Sequence, residues 1–206
     1  MEQNIFNISK DFSKKLFSII DIPLFDDSER LIVSDVSCSM SLEHWSATIQ
    51  LLEDGLLPSA IVVHRAHFEA ILRSIWLLYS ANEGHVSKLS AMLTLETEQG
   101  AKNLPTTAAM MESLSKSGPT QAFDALNRFK ENSWKALNSY AHAGIHPIRR
   151  HAEGYPPQLI EDLAKNSNGL AIISAMQAVV LAGAQPVQQE ILNLASQYDY
   201  CMPPPL

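Results

Sequence analysis

The sequence has few cysteines and few glycines. Two cysteines and eight glycines occur among its 206 residues. Cys38 and Cys201 lie far apart and show no metal-ligand spacing, which is typical of a protein from a reducing cytoplasm. The scattered glycines form neither a phosphate-binding loop nor a Gly-x-Ser-x-Gly motif. The sequence therefore gives no support to a nucleotide-binding loop or to a serine nucleophile of that type, and it indicates no cofactor.

Positive charge is also scarce. The 15 Lys and Arg residues are outnumbered by 22 Asp and Glu residues, which gives a formal net charge of -7 at pH 7. This balance argues against a broad nucleic-acid-binding face, although it leaves room for a local basic patch. The N-terminus has no basic start followed by an apolar run, so no signal peptide is predicted. The uncharged stretch 169–184 is interrupted by Ser174 and Gln177 and is shorter than the about 20 apolar residues of a membrane span. We therefore expect a cytoplasmic protein without a membrane segment.

What the sequence does contain is helical periodicity from end to end. Apolar residues recur at helical spacings, and no strand-like alternation persists. A hydrophobic content of 46% and a charged content of 18% fit one globular domain. We predict an all-α, single-domain bundle of about six to eight helices over residues 1–206, with residues 1–8 and 199–206 as extended or disordered tails. The predicted helices cover residues 9–20, 28–54, 58–81, 85–101, 106–116, 120–143, 158–184 and 186–198.

Three charged residues interrupt the third predicted helix, which is otherwise almost wholly apolar. Arg65, Glu69 and Arg73 are successive i, i+4 neighbours and share one helix face. Burying an unpaired charge is costly, so these groups must be paired or reach solvent. Two interpretations are open: a structural ion ladder that ties neighbouring helices together, or a polar binding pocket inside the bundle.

A second polar cluster covers residues 136–151 and contains three of the seven histidines. Asn138 and His142 are four residues apart, so they lie on one face of a predicted helix, beside its apolar stripe. Gly144 and Pro147 are predicted to end this helix. The segment that follows, with His146, Arg149, Arg150 and His151, is then a basic loop that is either a solvated turn or a contact for an anion.

A metal site at this cluster would combine His142, His146 and a carboxylate such as Glu69. The His-x-x-x-His spacing alone is a weak signal, because no Glu follows the first histidine as in a zinc hydrolase motif. We therefore predict no metal and keep a metal-dependent enzyme as a third alternative.

The run LNSYAH, from Leu137 to His142, resembles the signature helix of the HEPN superfamily. In that signature an arginine is followed by a polar residue and, about five positions after the arginine, by a histidine. Asn138 matches the polar position and His142 the histidine, whereas Leu137 occupies the arginine position. The third predicted helix, with Arg65 and Glu69 ahead of an apolar run, also looks like helices of HEPN-related bacterial bundles of unknown function.

The resemblance implies a helical bundle that often forms a homodimer with the signature at its interface. Catalytic members of the superfamily are metal-independent ribonucleases, frequently toxins or defence effectors, in which the histidine and the arginine act on the scissile phosphate. Other members serve as binding or regulatory modules. Because Leu137 cannot replace the arginine, we expect a non-catalytic binding or regulatory module with a protein or RNA partner.

Two alternatives are open beside this expectation. In the first, the protein is a metal-independent ribonuclease that uses His142, oriented by Asn138, with an arginine supplied from elsewhere in the chain or from a second subunit. In the second, His142 hydrogen-bonds to Glu69 or Glu43 and holds two helices in register. The predicted binding residues are Arg65, Glu69, Arg73, Tyr140, His146, Arg149 and Arg150.

Overall fold

The computed structural model describes residues 4–204, and these residues form helices joined by short turns, with no strand. The predicted all-α class is confirmed. Ten α-helices are present in this range, more than the six to eight predicted. They are α1 (Ile5–Ile20), α2 (Glu29–Glu53), α3 (Leu57–Tyr79), α4 (Glu83–Ser90), α5 (Leu95–Gly100), α6 (Thr107–Ser117), α7 (Thr120–Ala141), α8 (Ile145–Glu153), α9 (Pro157–Leu181) and α10 (Gln188–Gln197). Short 3-10 turns occupy Ala101–Asn103, Gln185–Val187 and Asp199–Cys201.

Helix α3 lies at the centre of the packing. It contacts α2 along its length and also packs against α6, α7 and α9. Pro58 lies in its first turn, where a missing backbone N–H removes no intrahelical hydrogen bond. Because neighbours cover α3 on several sides, the nearly continuous apolar sequence around it is buried, as predicted for a helix in the middle of a bundle.

Two large apolar clusters lie on opposite parts of the bundle. One contains Phe68, Ile71, Leu72 and Trp76 of α3 with residues of α2, α6 and α9. The other joins α1, the second half of α2, α9 and α10, and its centre is the edge-on contact of Phe12 with Trp45, whose ring centroids are 5.7 Å apart. Burying each large side chain of this kind stabilises the fold by about 1.5–3 kcal/mol.

A polar seam runs between α2, α3 and α9. Ser34 donates to the Ser74 carbonyl at 2.8 Å, and the Ser41 and Ser174 hydroxyls are 2.8 Å apart. Gln177 donates to the Ser34 hydroxyl at 3.3 Å. These contacts explain the polar residues that interrupt the uncharged stretch of α9, because small side chains let the helices approach and the hydroxyls bond to each other. Across residues 4–204, no helix combines the length and the apolarity that crossing a bilayer requires.

The prediction of extended or disordered tails is wrong for residues 5–8 and 199–201, which are helical, whereas the backbone of Met202 is extended. Helix α1 begins at Ile5, because the Asn4 side chain caps it by accepting a hydrogen bond from the Phe6 N–H at 2.9 Å. At the other end Cys201 is fully buried, and its carbonyl accepts from Asn168 Nδ2 at 2.8 Å. Residues 1–3 and 205–206, which belong to the predicted tails, lie outside the described residues.

The predicted loop after α7 is also wrong, because residues 145–153 form helix α8. Pro147 lies in its first turn, where proline is tolerated. Gly144 is the N-cap, and Ser139 Oγ of the preceding helix accepts a hydrogen bond from the His146 N–H at 3.1 Å. A β-carbon on Gly144 would lie 2.6 Å from Ser139 Oγ, so a larger residue would displace the hydroxyl that accepts from the His146 N–H.

The single helix predicted over residues 85–101 is two helices. Helix α4 ends before Ala91, whose backbone is extended. A new helix then starts with Thr94, which accepts a hydrogen bond from the Thr97 N–H at 3.2 Å. Local capping by threonine therefore separates α4 from α5.

Candidate functional site on α3 and α7

The charged row of α3 is half-buried between α3, α6 and α7. Arg65 Nη2 and Glu69 Oε1 form an ion pair at 3.1 Å, with side chains that are 18% and 38% exposed. Thr107 of α6 donates a second hydrogen bond to the same Glu69 oxygen at 3.3 Å. Arg73, one turn further along, forms no ion pair with any described residue. The row is therefore one paired arginine, one shared carboxylate and one further arginine.

Each arginine lies over a tryptophan ring. The Arg65 guanidinium carbon is 4.9 Å from the ring centroid of Trp134 on α7, and that of Arg73 is 5.9 Å from the ring of Trp76. Cation–π contacts of this kind orient a guanidinium without using its N–H groups. Arg65 Nε and Arg73 Nη1 are accordingly buried and make no hydrogen bond within the described part of the protein.

The row carries an excess of positive charge. Burial lowers the pKa of Arg73, and the nearby Glu69 carboxylate opposes this effect. An arginine nonetheless stays protonated in proteins. Two arginines and one glutamate give the row a net charge of +1 in a partly desolvated setting. The N–H groups of Arg65 Nε and Arg73 Nη1 stay unpaired within the described part of the protein.

Two histidines beside this row are part of the core. His64 and His67 are fully buried, and His64 packs edge-on against Phe129 of α7 at a centroid distance of 5.2 Å. His67 Nδ1 is 3.5 Å from Ser167 Oγ of α9. Both nitrogens of His64 and Nε2 of His67 have no hydrogen-bond partner among residues 4–204. Burial lowers the pKa of His64 to about 3 and that of His67 well below its usual value, so both rings are neutral at pH 7.

The C-terminal end of α7 holds the other predicted residues. His142 is the C-cap, with an exposed side chain that makes no hydrogen bond, ion pair or ring contact with any described residue. The hydrogen bond to Glu69 or Glu43 that one alternative required is therefore not formed. Asn138 is half-buried, and Tyr140 is buried, which raises the pKa of its hydroxyl. Gly144 lies two residues after His142, and the chain turns sharply there from α7 into α8.

Leu137, at the arginine position of the HEPN-like run, is a core residue. It is 3% exposed and packs with Ile61 of α3 and Tyr140. The guanidinium of an arginine at this position would be desolvated among apolar side chains, which is unfavourable for an unpaired charge. The missing arginine is thus explained by packing between α3 and α7.

The α3 row and His142 lie at different levels of the bundle. Trp134, which contacts Arg65, is eight residues before His142, and eight residues of an α-helix span about 12 Å. Asn138 lies between them. The structure therefore does not bring His142 together with Arg65 and Glu69 in one cluster.

The basic residues after α7 are exposed on α8. Arg149 forms an i, i+4 ion pair with Glu153, whereas Arg150 is half-buried. His146 and His151 are exposed. In the described range no three His, Cys, Asp or Glu side chains are arranged to hold a metal ion, so the set His142, His146 and Glu69 is not assembled.

Comparison with known proteins gives a family. The model of a family of unknown function (DUF6988) matches residues 38–204. The chain belongs to this family. No curated protein and no solved structure matches the chain.

The segment shared with DUF6988 contains every candidate residue described so far. It begins at Cys38 in the middle of α2 and continues through α3, α7 and α8 to the buried C-terminal turn. The α3 row and the end of α7 are therefore parts of the DUF6988 segment, whereas α1 precedes it.

One cleft of this DUF6988 protein was not predicted. It has a volume of about 590 Å³ and lies between α1, α2 and α9, lined by Phe17, Cys38 and the carboxylates of Asp21, Asp35 and Glu43. The lining residues come from three helices, α1, α2 and α9, so no spacing pattern within one helix indicates the cleft. Burial raises the pKa of Cys38 to about 12, so its thiol is protonated and unreactive at neutral pH.

Proposed function

We propose that this protein is a HEPN-like bundle that binds a ligand without catalysing a reaction, and that its ligand is an oxyanion held by the arginine row of α3. The observation that carries the proposal is the unpaired, buried N–H of Arg65 Nε and Arg73 Nη1 beside a single carboxylate. Buried polar groups in folded proteins nearly always have a partner, so an oxyanion that accepts from Arg73 Nη1 completes this end of the row, about 12 Å along the helix from Arg65.

An oxyanion fits the row in charge and in geometry. Arg73 has no carboxylate of its own, and its guanidinium is desolvated over Trp76. A planar guanidinium binds carboxylate or phosphate oxygens with two parallel hydrogen bonds. The tryptophan rings fix the two guanidinium groups in advance, which lowers the entropy lost on binding.

The absence of catalysis in this proposal is supported by the end of α7. Phosphoryl chemistry of the HEPN type needs a cation close to the histidine to stabilise charge on the phosphate. Leu137 is packed in the core, and Arg65 is held by Trp134 and Glu69 at a different level of the bundle. A regulatory role, related to a toxin–antitoxin or defence system in the cytoplasm, rests on the resemblance alone.

Anion titration tests the oxyanion site. The melting temperature is measured against inorganic phosphate and, separately, acetate, with sodium chloride holding the ionic strength constant. We expect at least one of the two anions to stabilise the wild type and the matched control Arg128→Met, which alters an exposed arginine of α7. Arg73→Met should lose the response.

The stability of Arg73→Met in the absence of the anion is the second measurement. Removing a desolvated charge that lacks a partner should leave stability unchanged or raise it. The proposal is overturned if neither anion stabilises the wild type, or if Arg73→Met responds as the wild type does. A large loss of stability in Arg73→Met without added anion would instead favour a purely structural ion ladder.

A metal-independent ribonuclease is the second candidate function. The observation in its favour is the exposed His142, which has no partner among the described residues and lies at the end of α7, shortly before the helix that carries Arg149 and Arg150. A histidine there could transfer a proton near neutral pH, and an arginine of α8 or of a second subunit could stabilise charge. Incubation with mixed RNA decides between the two functions, because cleavage that is lost in His142→Ala would refute the non-catalytic proposal.

A homodimer is also part of this proposal. The resemblance places the α7 signature at the interface of such a dimer, and a second subunit could then bring an arginine to His142. Sedimentation of the wild type and of His142→Ala with a crosslinkable RNA would show whether the two subunits share one RNA site.

A further inference from the structure

Helices α7 and α8 form a weakly attached unit of the bundle, residues 120–153. Helix α7 buries three of its 22 residues, whereas α9 buries ten of 25. Helix α8 buries none of its residues and packs against α7, so its position depends on α7. Segments with few buried side chains open at a lower free energy than the core of a protein. We therefore expect this unit to open while the core formed by α2, α3 and α9 stays folded.

The α7–α8 unit is attached to α3 mainly through an aromatic contact. The Phe129 ring of α7 stacks on Phe68 of α3 at a centroid distance of 4.8 Å, and it meets His64 edge-on at 5.2 Å. Leu137 of α7 also packs with Ile61 of α3. Release of α7 from α3 therefore takes away the ring that covers His64.

His64 is a titratable group that this interface keeps away from water. It is 1% exposed, and neither ring nitrogen has a hydrogen-bond partner among residues 4–204. Burial lowers its pKa, and no charged side chain of the described residues opposes this effect. Its titratable neighbour on α3 is His67, at a ring distance of 6.1 Å, and the guanidinium of Arg65 lies instead over Trp134. A proton on His64 is therefore disfavoured while α7 is packed, and it is solvated once α7 leaves.

His67 is covered from other helices. Its Nδ1 is 3.5 Å from Ser167 Oγ of α9, and its carbonyl accepts from Ser41 Oγ of α2 at 3.2 Å. The titratable groups that act on it are His64 and His44 of α2. Because α2 and α9 cover His67, it stays buried when α7 leaves. The two histidines therefore respond to different openings, His64 to the release of α7 and His67 to the unfolding of the core.

We propose that acid releases the α7–α8 unit from α3 while α2, α3 and α9 stay packed, and that protonation of His64 drives this release. The neutral ring fits the closed form, whereas the open form binds one proton more. Below about pH 6.5 the ratio of open to closed molecules then rises about tenfold for each pH unit.

The ends of the unit allow such a movement. Gly118 joins it to α6, and Gly154 lies between it and α9, so both connections lie outside helices. Connections of this kind can absorb the change in backbone angles that a swing of the unit requires. The inference does not depend on the oxyanion site at Arg73.

Amide hydrogen exchange measured by mass spectrometry tests the release, because opening exposes the backbone amides of the unit. Protection factors, which remove the pH dependence of chemical exchange itself, are measured from about pH 7.5 to about pH 5 for peptides of α7 and α9. His64→Leu removes the proposed trigger. The matched variants are His67→Leu, which alters the other buried histidine of α3, and His151→Gln, which alters an exposed histidine of α8.

We expect the amides of α7 to be less protected than those of α9 at every pH. In the wild type the protection of α7 should fall about tenfold for each pH unit below about pH 6.5. His64→Leu should abolish this fall, whereas His67→Leu and His151→Gln should keep it. His67→Leu should instead make the fall in α9 less steep, because α9 exchanges when the core unfolds.

Equal protection of α7 and α9 at every pH overturns the inference, since the unit then opens only when the whole protein unfolds. A fall in α7 that persists in His64→Leu, or that disappears in His67→Leu, also overturns it. The first of these outcomes is read from the wild type alone, so the test stands even if a variant does not fold.

Discussion

Lowering the pH should destabilise the protein through the buried histidines of α3. His64 is fully buried against Phe129, and its two ring nitrogens accept no hydrogen bond from a described residue. His67, one turn further along, is equally buried and lies near Ser167 of α9 and His44 of α2. Neither residue faces a carboxylate of the described residues that could stabilise the protonated ring, so folding favours the neutral form of both.

The size of the effect follows from linkage between protonation and folding. The folded-state pKa of His64 is about 3, whereas an unfolded histidine titrates near 6.5, so the unfolded chain takes up a proton first as the pH falls. Above about pH 6.5 the free energy of unfolding is unaffected by His64. Between about pH 6.5 and pH 3 it falls progressively, because the unfolded chain binds a proton that the folded chain does not. The slope is about 1.4 kcal/mol per pH unit, so His64 alone lowers the free energy of unfolding by roughly 3 kcal/mol at about pH 4.5. His67 adds to this loss, because its pKa is shifted in the same direction.

Urea unfolding at several pH values from about 7 to about 4.5 measures this loss as a change in the free energy of unfolding. His64→Leu removes one titrating group and two unsatisfied nitrogens, so its stability should fall less steeply with acid than that of the wild type. His151→Gln alters an exposed histidine and is the matched control, with an unchanged slope. Equal slopes in His64→Leu and the wild type would refute the reasoning.

Three further predictions concern stability near α7 and α9, each measured by urea unfolding. Ala143 adopts φ 49°, so Ala143→Gly should stabilise the protein by about 1 kcal/mol, whereas Ala136→Gly inside α7 should lower the free energy of unfolding by about 1 kcal/mol. If Ala143→Gly destabilises, the strain argument is wrong. Leu137→Arg should cost more than about 3 kcal/mol because the new charge is buried, and a stable variant with gained ribonuclease activity would contradict this. Asn168→Ala should lower the free energy of unfolding by about 3 kcal/mol, which is about 1 kcal/mol for each of its three hydrogen bonds. One of these bonds comes from Trp45 Nε1 at 2.8 Å. A loss below about 1 kcal/mol would refute this reasoning.

The features that depend on short-range sequence patterns, above all the helical class, were predicted correctly. The apolar spacing of α2 and the nearly continuous apolar sequence of α3 indicate an all-α fold, because one face of a helix is visible in the order of residues. The polar residues Ser174 and Gln177 of α9 argued against a membrane span, and the polar seam with α2 and α3 explains their presence.

The predictions failed where the same residues are compatible with two different local structures. Gly144 and Pro147 can end a helix or begin one, and the hydrogen bond from the His146 N–H to Ser139 Oγ shows that they begin α8. The C-terminal segment has a proline-rich sequence typical of an extended tail. Its burial at Cys201 comes from Asn168, a residue more than 30 positions earlier, and no local pattern contains such a contact.

The sequence by itself determined the helical class, the nearly apolar character of the third helix and the presence of Arg65, Glu69 and Arg73 on one face. These features follow from a helical period that acts over a few residues. Only the tertiary structure decided that Thr107 of α6 bonds to Glu69 and that Trp134 of α7 lies under Arg65, because these partners come from other helices. It likewise decided that α7 covers His64, since coverage depends on how distant helices pack against each other.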